Sequence, residues 1–201
     1  MKKTNTNLYN ELKERGLLYQ CTNEERLKEV LESGLPITLY EGSDPTADSL
    51  HIGHCVPYCI LRRFQKAGHK VLILMGGATA SVGDPTGKTE MRKMISYEQI
   101  DENVKSIESQ LNNFIGFDNK TAFSDNNKNW LADLNYIDFL RDIGSCFSVN
   151  KMLSFEAYKQ RLEKGLSFIE FNYQLLQSYD FLMLHQRHNV VLQIGGDDQW
   201  G

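Results

Sequence analysis

Pro36-Ile-Thr-Leu-Tyr-Glu-Gly-Ser-Asp-Pro-Thr-Ala-Asp-Ser-Leu-His-Ile-Gly-His54 joins a strand-like run to the start of a helix. The first six residues have the apolar, β-branched character of a strand, and Gly42, Asp44 and Pro45 indicate a tight chain reversal after it. We predict that a helix begins at about Gly53. A loop rich in Gly, Asp, Thr and Ser between a strand and a helix is typical of nucleotide-binding folds.

Two histidines, His51 and His54, stand three residues apart where this helix begins. At that spacing they share one face of the helix. The first turn of a helix has unpaired backbone N–H groups and the positive end of the dipole, and the imidazoles add further donors. The pair therefore suits a polyphosphate, although two histidines that merely cap a helix would show the same pattern.

The segments that follow predict a parallel βαβ unit, because a strand at residues 37–41, a helix ending at Gly68 and a strand at 71–75 come in sequence. The remaining elements of the predicted sheet are a helix over 96–117, a short strand near 121–124, a helix over 167–185 and a strand at 190–194. The predicted fold class is α/β, a Rossmann-like nucleotide-binding fold with a parallel sheet.

Residues 1–35 are expected to form a helical preface to this sheet. The apolar spacing predicts a helix over residues 8–18 and a second one after Thr22. Thr22-Asn-Glu-Glu25 has the pattern of a capping box, and Gly34 is a typical helix stop.

A helical insertion is predicted from about residue 126 to 166, with helices over 135–143 and 154–164. With the preface and the sheet it would form one domain over residues 1–201. Several apolar side chains of the insertion are expected to be exposed on a free subunit, among Ile137, Phe139, Leu140, Phe147 and Met152.

Bulk composition limits the partners of the chain. Its 201 residues, 41% of them hydrophobic, suffice for a real core in one domain, and the formal charge of -4 supplies no global attraction to nucleic acid. Local basic patches, a segment outside this chain, or both would have to bind such a partner. The candidates within the chain, each of which could also belong to a solvated helix face, are Arg62, Arg63, Lys66, Lys70, Lys88, Arg92 and Lys93.

The cysteines indicate a reduced compartment, since Cys21, Cys55, Cys59 and Cys146 have neither zinc-ligand spacing nor a disulfide framework. We expect Cys55 and Cys59, four apart on the predicted helix, to be small apolar filler. The N-terminus lacks the apolar stretch of a secretory signal, and no apolar run has membrane-spanning length. A cytoplasmic protein with no membrane contact is therefore expected.

Four blocks resemble the class I aminoacyl-tRNA synthetases and, among them, the bacterial tyrosyl-tRNA synthetases. The His-Ile-Gly-His tetrapeptide after the first strand is the signature of the class. The four blocks are residues 39–54, Gly76-Gly-Ala-Thr-Ala-Ser-Val-Gly-Asp-Pro-Thr-Gly-Lys88, Phe171-Asn-Tyr-Gln-Leu-Leu-Gln-Ser-Tyr-Asp-Phe181 and Leu192-Gln-Ile-Gly-Gly-Asp-Asp-Gln-Trp-Gly201. The resemblance implies that L-tyrosine is activated with ATP to tyrosyl-adenylate and passed to tRNA(Tyr). ATP would be a co-substrate accompanied by Mg²⁺, with no tightly bound cofactor and no structural metal.

The same resemblance implies a tyrosine pocket. Tyr40 and Asp180 would hydrogen-bond the phenol hydroxyl, and Tyr173 and Gln177 would contact the amino end. On a helix Tyr173, Gln177 and Asp180 would share one side, which is also the pattern of a solvent-exposed stripe. Asp84 could instead be a plain turn residue. The full implied set is Tyr40, Thr79, Asp84, Asn127, Tyr173, Gln177, Asp180, Gln193 and Gln199.

For ATP, the resemblance implies catalytic roles for Thr46, His51 and His54, which would stabilise charge at the phosphorus. The implied ATP-binding set is Gly42, Asp44, His51, Gly53, His54, Gly196 and Asp198. Glu41 and Ser43 depart from the best-known bacterial forms, which carry a small thiol residue and a phenylalanine there. Glu41 could accept a ribose hydroxyl or face solvent.

The resemblance also places a lysine-rich second ATP signature and the main tRNA-binding region beyond Gly201, so we expect a fragment with little turnover alone. It places a homodimer contact in the helical insertion.

Three alternatives remain at this stage. Gly83-Asp-Pro-Thr-Gly-Lys-Thr89 approaches a P-loop, but only three residues separate the first glycine from the Gly-Lys pair where four are required. A tryptophanyl-type synthetase shares the histidine signature, but Tyr40 and Asp180 suit a phenol better. A binding or dimerisation module without turnover is the non-enzymatic alternative.

Overall fold

One parallel sheet organises the molecule. The computed structural model describes residues 4–84, 95–163 and 165–200, and within them four strands pair in the order β3-β2-β1-β4. All three pairings are parallel. The strands are β1 (Thr38–Ser43), β2 (Lys70–Met75), β3 (Ala122–Asn126) and β4 (Val190–Gln193). The predicted Rossmann-like α/β fold class is confirmed.

Helices connect and cover the strands on both faces. The preface contributes two of them and the insertion contributes a series of short ones. The helices of the described residues are α1 (Leu8–Glu14), α2 (Glu24–Glu32), α3 (Cys55–Ala67), α4 (Tyr97–Ile115), α5 (Lys128–Leu131), α6 (Tyr136–Asp142), α7 (Val149–Met152), α8 (Glu156–Leu162) and α9 (Phe168–His188).

The helix ends show where local signals were and were not sufficient. Gly68 ends α3 in the left-handed conformation, with φ +100°, as predicted. The predicted start at Gly53 was wrong, because a 3-10 turn, Ile52–His54, precedes α3. The predicted capping box at Thr22 was also wrong. Asn23 caps α2 by accepting the N–H of Arg26, one residue later than the sequence pattern indicated.

The two faces of the sheet carry separate cores, because alternate residues of a strand point to opposite faces. Leu39 belongs to the larger cluster with α1–α4, whereas Tyr40 belongs to the cluster with Trp130 and Leu184 of α9. The alternation along β1 therefore turns Tyr40 toward α9. A third cluster packs the insertion helices against α9 through Phe139 and Leu175.

The cysteines of α3 are not core filler. Cys55 and Cys59 are both exposed, and all four cysteines of the chain are free thiols. Tyr58, between them, is buried instead. The buried face of α3 is therefore a different one from the face that was predicted. No helix among the described residues is long and apolar enough to span a membrane.

A buried ion pair joins α8 to α9. Arg161 and Glu170 approach to 3.1 Å, and their side chains are 4% and 3% exposed. Glu170 also accepts hydrogen bonds from the backbone N–H and hydroxyl of Ser167, which completes the cap at the start of α9. This carboxylate therefore holds the start of the helix that lines the cavity described below.

We expect Glu170→Ala to lower the free energy of unfolding by about 3–5 kcal/mol, because the Arg161 guanidinium would lose its buried counter-charge. Urea unfolding followed by circular dichroism measures this. Glu29→Ala is the matched control, since its pair with Arg26 is 67% and 70% exposed and is worth about 0.5 kcal/mol or less. Equal losses in the two variants would contradict the structural role of Glu170.

Candidate active site

The carboxyl ends of the strands surround a cavity of about 570 Å³. Ligands of open α/β sheets bind at this edge, where loops from neighbouring strands diverge. The cavity is lined by all the predicted site residues but one: Tyr40, Gly42, Asp44, Thr46, His51, Gly53, His54, Thr79, Asp84, Asn127, Tyr173, Gln177, Asp180, Gln193, Gly196 and Gln199. The exception is Asp198, whose side chain lies outside the described part of the chain.

Asp180 is a buried carboxylate at one end of the cavity, 3% exposed. Its Oδ2 accepts from Asn127 Nδ2 at 2.9 Å and its Oδ1 accepts from Trp130 Nε1 at 2.7 Å. Burial raises the pKa of Asp180 to about 7, and these two hydrogen bonds work in the opposite direction. The group is therefore held in one orientation and is poised between its two protonation states near neutral pH.

Tyr40 lies beside Asp180 with a hydroxyl that has no hydrogen-bond partner, although the residue is only 1% exposed. Burial raises the pKa of this hydroxyl, and the negative charge of Asp180 raises it further. A buried hydroxyl without a partner is costly unless a ligand satisfies it. Gln193 of β4 pairs with Tyr40 across the sheet and lines the same cavity.

A second carboxylate, Asp44, links the first strand to two other walls of the cavity. Its Oδ1 accepts from the Thr79 hydroxyl at 2.6 Å, and its Oδ2 accepts from the Tyr173 hydroxyl at 2.9 Å. Gly76 leaves room for this contact, since a Cβ there would lie 1.9 Å from Asp44 Oδ1. Asp44, which the resemblance assigns to ATP, thus contacts two residues that it assigns to tyrosine.

Three polar side chains continue this wall toward the glycine-rich loop. Gln177 Nε2 donates to Gln199 Oε1 at 3.1 Å, and Gln199 Nε2 donates to Asp84 Oδ2 at 3.2 Å. Tyr173, Gln177 and Asp180 all line the cavity, so they do not form a solvent-exposed stripe. Asp84 likewise faces the cavity.

The histidine pair also lines the cavity. The ring centroids of His51 and His54 are 3.9 Å apart. His51 Nδ1 accepts the N–H of Gly53, and His54 Nδ1 accepts the N–H of His51. In a neutral ring whose Nδ1 accepts, the proton lies on Nε2, so both rings keep one N–H donor. Burial lowers the pKa of His54, and the neighbouring His51 lowers it further.

This geometry changes the reason why the histidines suit a polyphosphate. The sequence pattern suggested open backbone N–H groups, but the His51 ring itself occupies the Gly53 N–H, and the His51 carbonyl accepts from His54 N. The imidazole Nε2 groups are therefore the donors that the two rings can offer to a ligand. The two histidines can therefore cap the turn through Nδ1 and still donate to a ligand through Nε2.

Glu41 does not face solvent, which excludes one of the two roles that the sequence left open for it. It is 6% exposed, lines the cavity, and accepts from the Ser43 hydroxyl at 3.3 Å. Ser43 is hydrogen bonded in turn to the Tyr58 hydroxyl at 2.7 Å. Burial raises the pKa of Glu41 to about 8, although these hydroxyls act to lower it, so the carboxyl is largely protonated at pH 7.

Sequence reasoning missed several residues of the site, among them Gly76, which lines the cavity, and Trp130, which donates to Asp180. The Gly76-Gly77 pair directly after β2 signalled a close backbone approach. No local signal marks Trp130, which meets Asp180 only through the tertiary structure. Residues 85–94, including most of the near-P-loop and the basic Lys88, Arg92 and Lys93, lie outside the described residues. Among the described ones, no cluster of three or more His, Cys, Asp or Glu could hold a metal ion.

Comparison with known proteins finds extensive similarity to tyrosine–tRNA ligases. The chain is 62% identical over 190 residues to a tyrosine–tRNA ligase of Treponema denticola, a match that covers 94% of this chain and 47% of the relative. It is 54% identical over 194 residues to the Clostridium tetani enzyme of the same name, covering 96% and 47%. The chain thus spans about half the length of the curated relatives it matches.

A solved structure shows the same fold. The C-terminally truncated mitochondrial tyrosyl-tRNA synthetase of Aspergillus nidulans superposes with a TM-score of 0.85 at 32% identity, covering 96% of this chain and 57% of that one. Residues 32–201 match the sequence profile of tRNA synthetases class I (W and Y). Since that match covers most of the chain, including every residue named above as lining the cavity, the chain belongs to the family of class I tRNA synthetases (W and Y).

Proposed function

We propose that the whole protein joins L-tyrosine to tRNA(Tyr) by way of tyrosyl-adenylate, with ATP as co-substrate. One observation carries the proposal: the buried, unpartnered Tyr40 hydroxyl lies beside the oriented Asp180 carboxylate on the wall of the cavity. A phenol hydroxyl needs a donor and an acceptor at the same depth, and this pair supplies both. The curated relatives compared above are named for tyrosine, so a tryptophanyl-type enzyme and a module without turnover are not favoured.

The polar wall beyond this pair suits the amino acid's ammonium group. Asp44 and Asp84 supply carboxylate oxygens, and Tyr173 and Gln177 supply neutral polar atoms. Ionic hydrogen bonds to an ammonium are about twice as strong as neutral ones. Tyrosine bound between Asp180 and this wall would present its carboxylate toward the histidine side.

In the first step a tyrosine carboxylate oxygen attacks the α-phosphorus of ATP, and pyrophosphate leaves. The protein supplies no nucleophile, so its task is to position the reactants and stabilise charge. His51 and His54 would donate from Nε2, with Thr46 as a further donor. Gly42, Gly53, Gly196 and Asp198 complete the proposed ATP side, and Mg²⁺ would arrive with the nucleotide.

Glu41 fits the nucleotide side only because it is largely protonated. An ionised carboxylate near a polyphosphate would repel it, whereas a carboxyl group with a proton can both donate to and accept from a ribose hydroxyl. The Ser43 and Tyr58 hydroxyls hold Glu41 in place for that contact. We therefore propose Glu41 as a ribose ligand.

For the remaining partners we propose tRNA(Tyr) in the cytoplasm, bound mainly by parts of the protein outside this chain, and a second copy of the chain. Apolar side chains exposed on the insertion and the start of α9 support a homodimer. They include Ile137, 69% exposed, and Phe168, 71% exposed. Large apolar side chains exposed to this extent are typical of surfaces that a partner covers.

Asp180→Ala should weaken L-tyrosine binding about 10- to 100-fold, because the ligand would lose a hydrogen bond to a charged group. Calorimetric titration with L-tyrosine and L-phenylalanine measures this. Asp133→Asn, at an exposed aspartate, is the control and should bind as the wild type does. Wild-type affinity in a folded Asp180→Ala variant would refute the assignment of the pocket.

Tyrosine binding should also depend on pH through Asp180. The phenol donates to the ionised carboxylate, so protonation of Asp180 competes with binding below its pKa of about 7. We expect affinity to fall about fivefold from pH 7 to pH 6 and to level off above pH 8. The Asp180→Asn variant should bind L-tyrosine weakly, and its affinity should not change between pH 6 and pH 8. Calorimetric titrations across this pH range test both expectations. An unchanged slope in Asp180→Asn would assign the titration to another group.

Ile137→Asp and Phe168→Asp should shift the protein from dimer to monomer, because each buries a charge in an apolar interface. Light scattering after gel filtration at about 10 µM gives the mass. Tyr19→Asp, at a side chain that is 82% exposed in the preface, should remain dimeric. A wild-type protein that is monomeric under these conditions would contradict the proposed homodimer.

A further inference from the structure

The loop of residues 44–51 carries two of the proposed ATP-binding groups, Thr46 and His51. It leads from the end of β1 to the 3-10 turn before α3. Residues 46–49 are all exposed, so little packing of their own fixes this part of the chain. A loop that must hold donors within a fraction of an ångström needs support from elsewhere.

Helix α4 provides that support at the start of the loop. Asn103 Nδ2 donates to the carbonyl of Pro45, the residue before Thr46, at 2.9 Å. Asn103 is 3% exposed, and Gln99 donates to its Oδ1 at 3.1 Å, which fixes the direction of the amide. The contact is therefore a buried hydrogen bond with a single orientation.

The same helix holds the other end of the loop. The N–H of Leu50, the residue before His51, donates to Gln110 Oε1 at 3.1 Å. Asn103 and Gln110 are seven residues apart and so lie on one face of α4. Ile107, between them on that face, lines the cavity itself.

Helix α4 has its own attachments, to strand β3 and to helix α5. Glu108 accepts from the Ser124 hydroxyl of β3 at 2.8 Å, and Asp101 pairs with Lys128 at 2.9 Å. The helix is thus a fixed frame to which both ends of the loop are bonded. Asp180 and Gln177 stand on α9, at a different wall.

We propose that Asn103 and Gln110 are positioning residues that clamp the two ends of this loop and so set the place of Thr46 and His51 relative to ATP. Neither amide needs to touch a substrate. The inference rests on the proposed function and deepens it, because it predicts that the clamp acts on ATP use and leaves tyrosine binding alone.

Tyrosine-dependent exchange of pyrophosphate into ATP, measured on the full-length protein, tests the clamp. Asn103→Ala should lower kcat/KM for ATP at least tenfold, and Gln110→Leu should lower it about threefold or more, because small misplacements of catalytic groups are costly. The dissociation constant for L-tyrosine, measured by calorimetry, should stay within twofold in both. Gln110→Glu should restore near wild-type exchange, since a carboxylate still accepts the Leu50 N–H.

Val104→Ala is the matched control for lost stability. Val104 is a buried neighbour of Asn103 in the core cluster and makes no bond to the loop, so its kcat/KM for ATP should not change. The proposal is overturned if Asn103→Ala and Gln110→Leu keep kcat/KM within twofold, or if Val104→Ala loses as much as they do. Equal loss of tyrosine affinity and ATP use would also overturn it. A wild-type protein without tyrosine-dependent exchange would overturn the proposed function, and this inference with it.

Discussion

The side chain of Asn127, which is fully buried, ties together three elements that no local interaction would bring together. Its Nδ2 donates to both Thr79 and Asp180, each at 2.9 Å, and its Oδ1 accepts the N–H of Ala78. Its backbone N–H extends the bonding beyond the end of β3 to Met75 of β2. Every hydrogen-bonding group of this amide is used, so the end of β3, the loop after β2 and α9 are held in one geometry.

The electrostatics of the cavity follow from that frame. Carboxyl groups are brought into a low-dielectric site at both sides, and burial raises the pKa of Asp180 to about 7 and of Glu41 to about 8. Their surroundings differ: Asp180 receives two N–H donors that favour its ionised form, whereas Glu41 has only hydroxyls beside it. The site therefore combines a carboxylate that can accept a hydrogen bond with a protonated carboxyl that can also donate one. This contrast supports the tyrosine and ribose contacts proposed above for Asp180 and Glu41.

Much of the fold was predictable because its signals are local. The apolar runs predicted the ends of each strand to within a few residues, and Gly68 ends α3 as expected. Errors arose where two local signals competed. Asn23 replaced Thr22 as the cap of α2, and the exposed face of α3 was mistaken for a buried one at Cys55 and Cys59. In both cases two neighbouring residues fitted the same local pattern, and the tertiary structure determined which of them caps the helix or is buried.

The sequence alone was enough to choose the candidate site residues, because Tyr40, His51 and Asp180 lie in blocks that can be recognised without knowing the fold. Only the tertiary structure decided what each group contacts. Burial raises the pKa of Asp180, and the hydrogen bond from Trp130, which is fifty residues away in the chain, acts against that rise. The loop before His51 is held by Asn103, on a helix that shares no motif with it. Hydrogen bonds and desolvation depend on distances in space, and no spacing along the sequence encodes them.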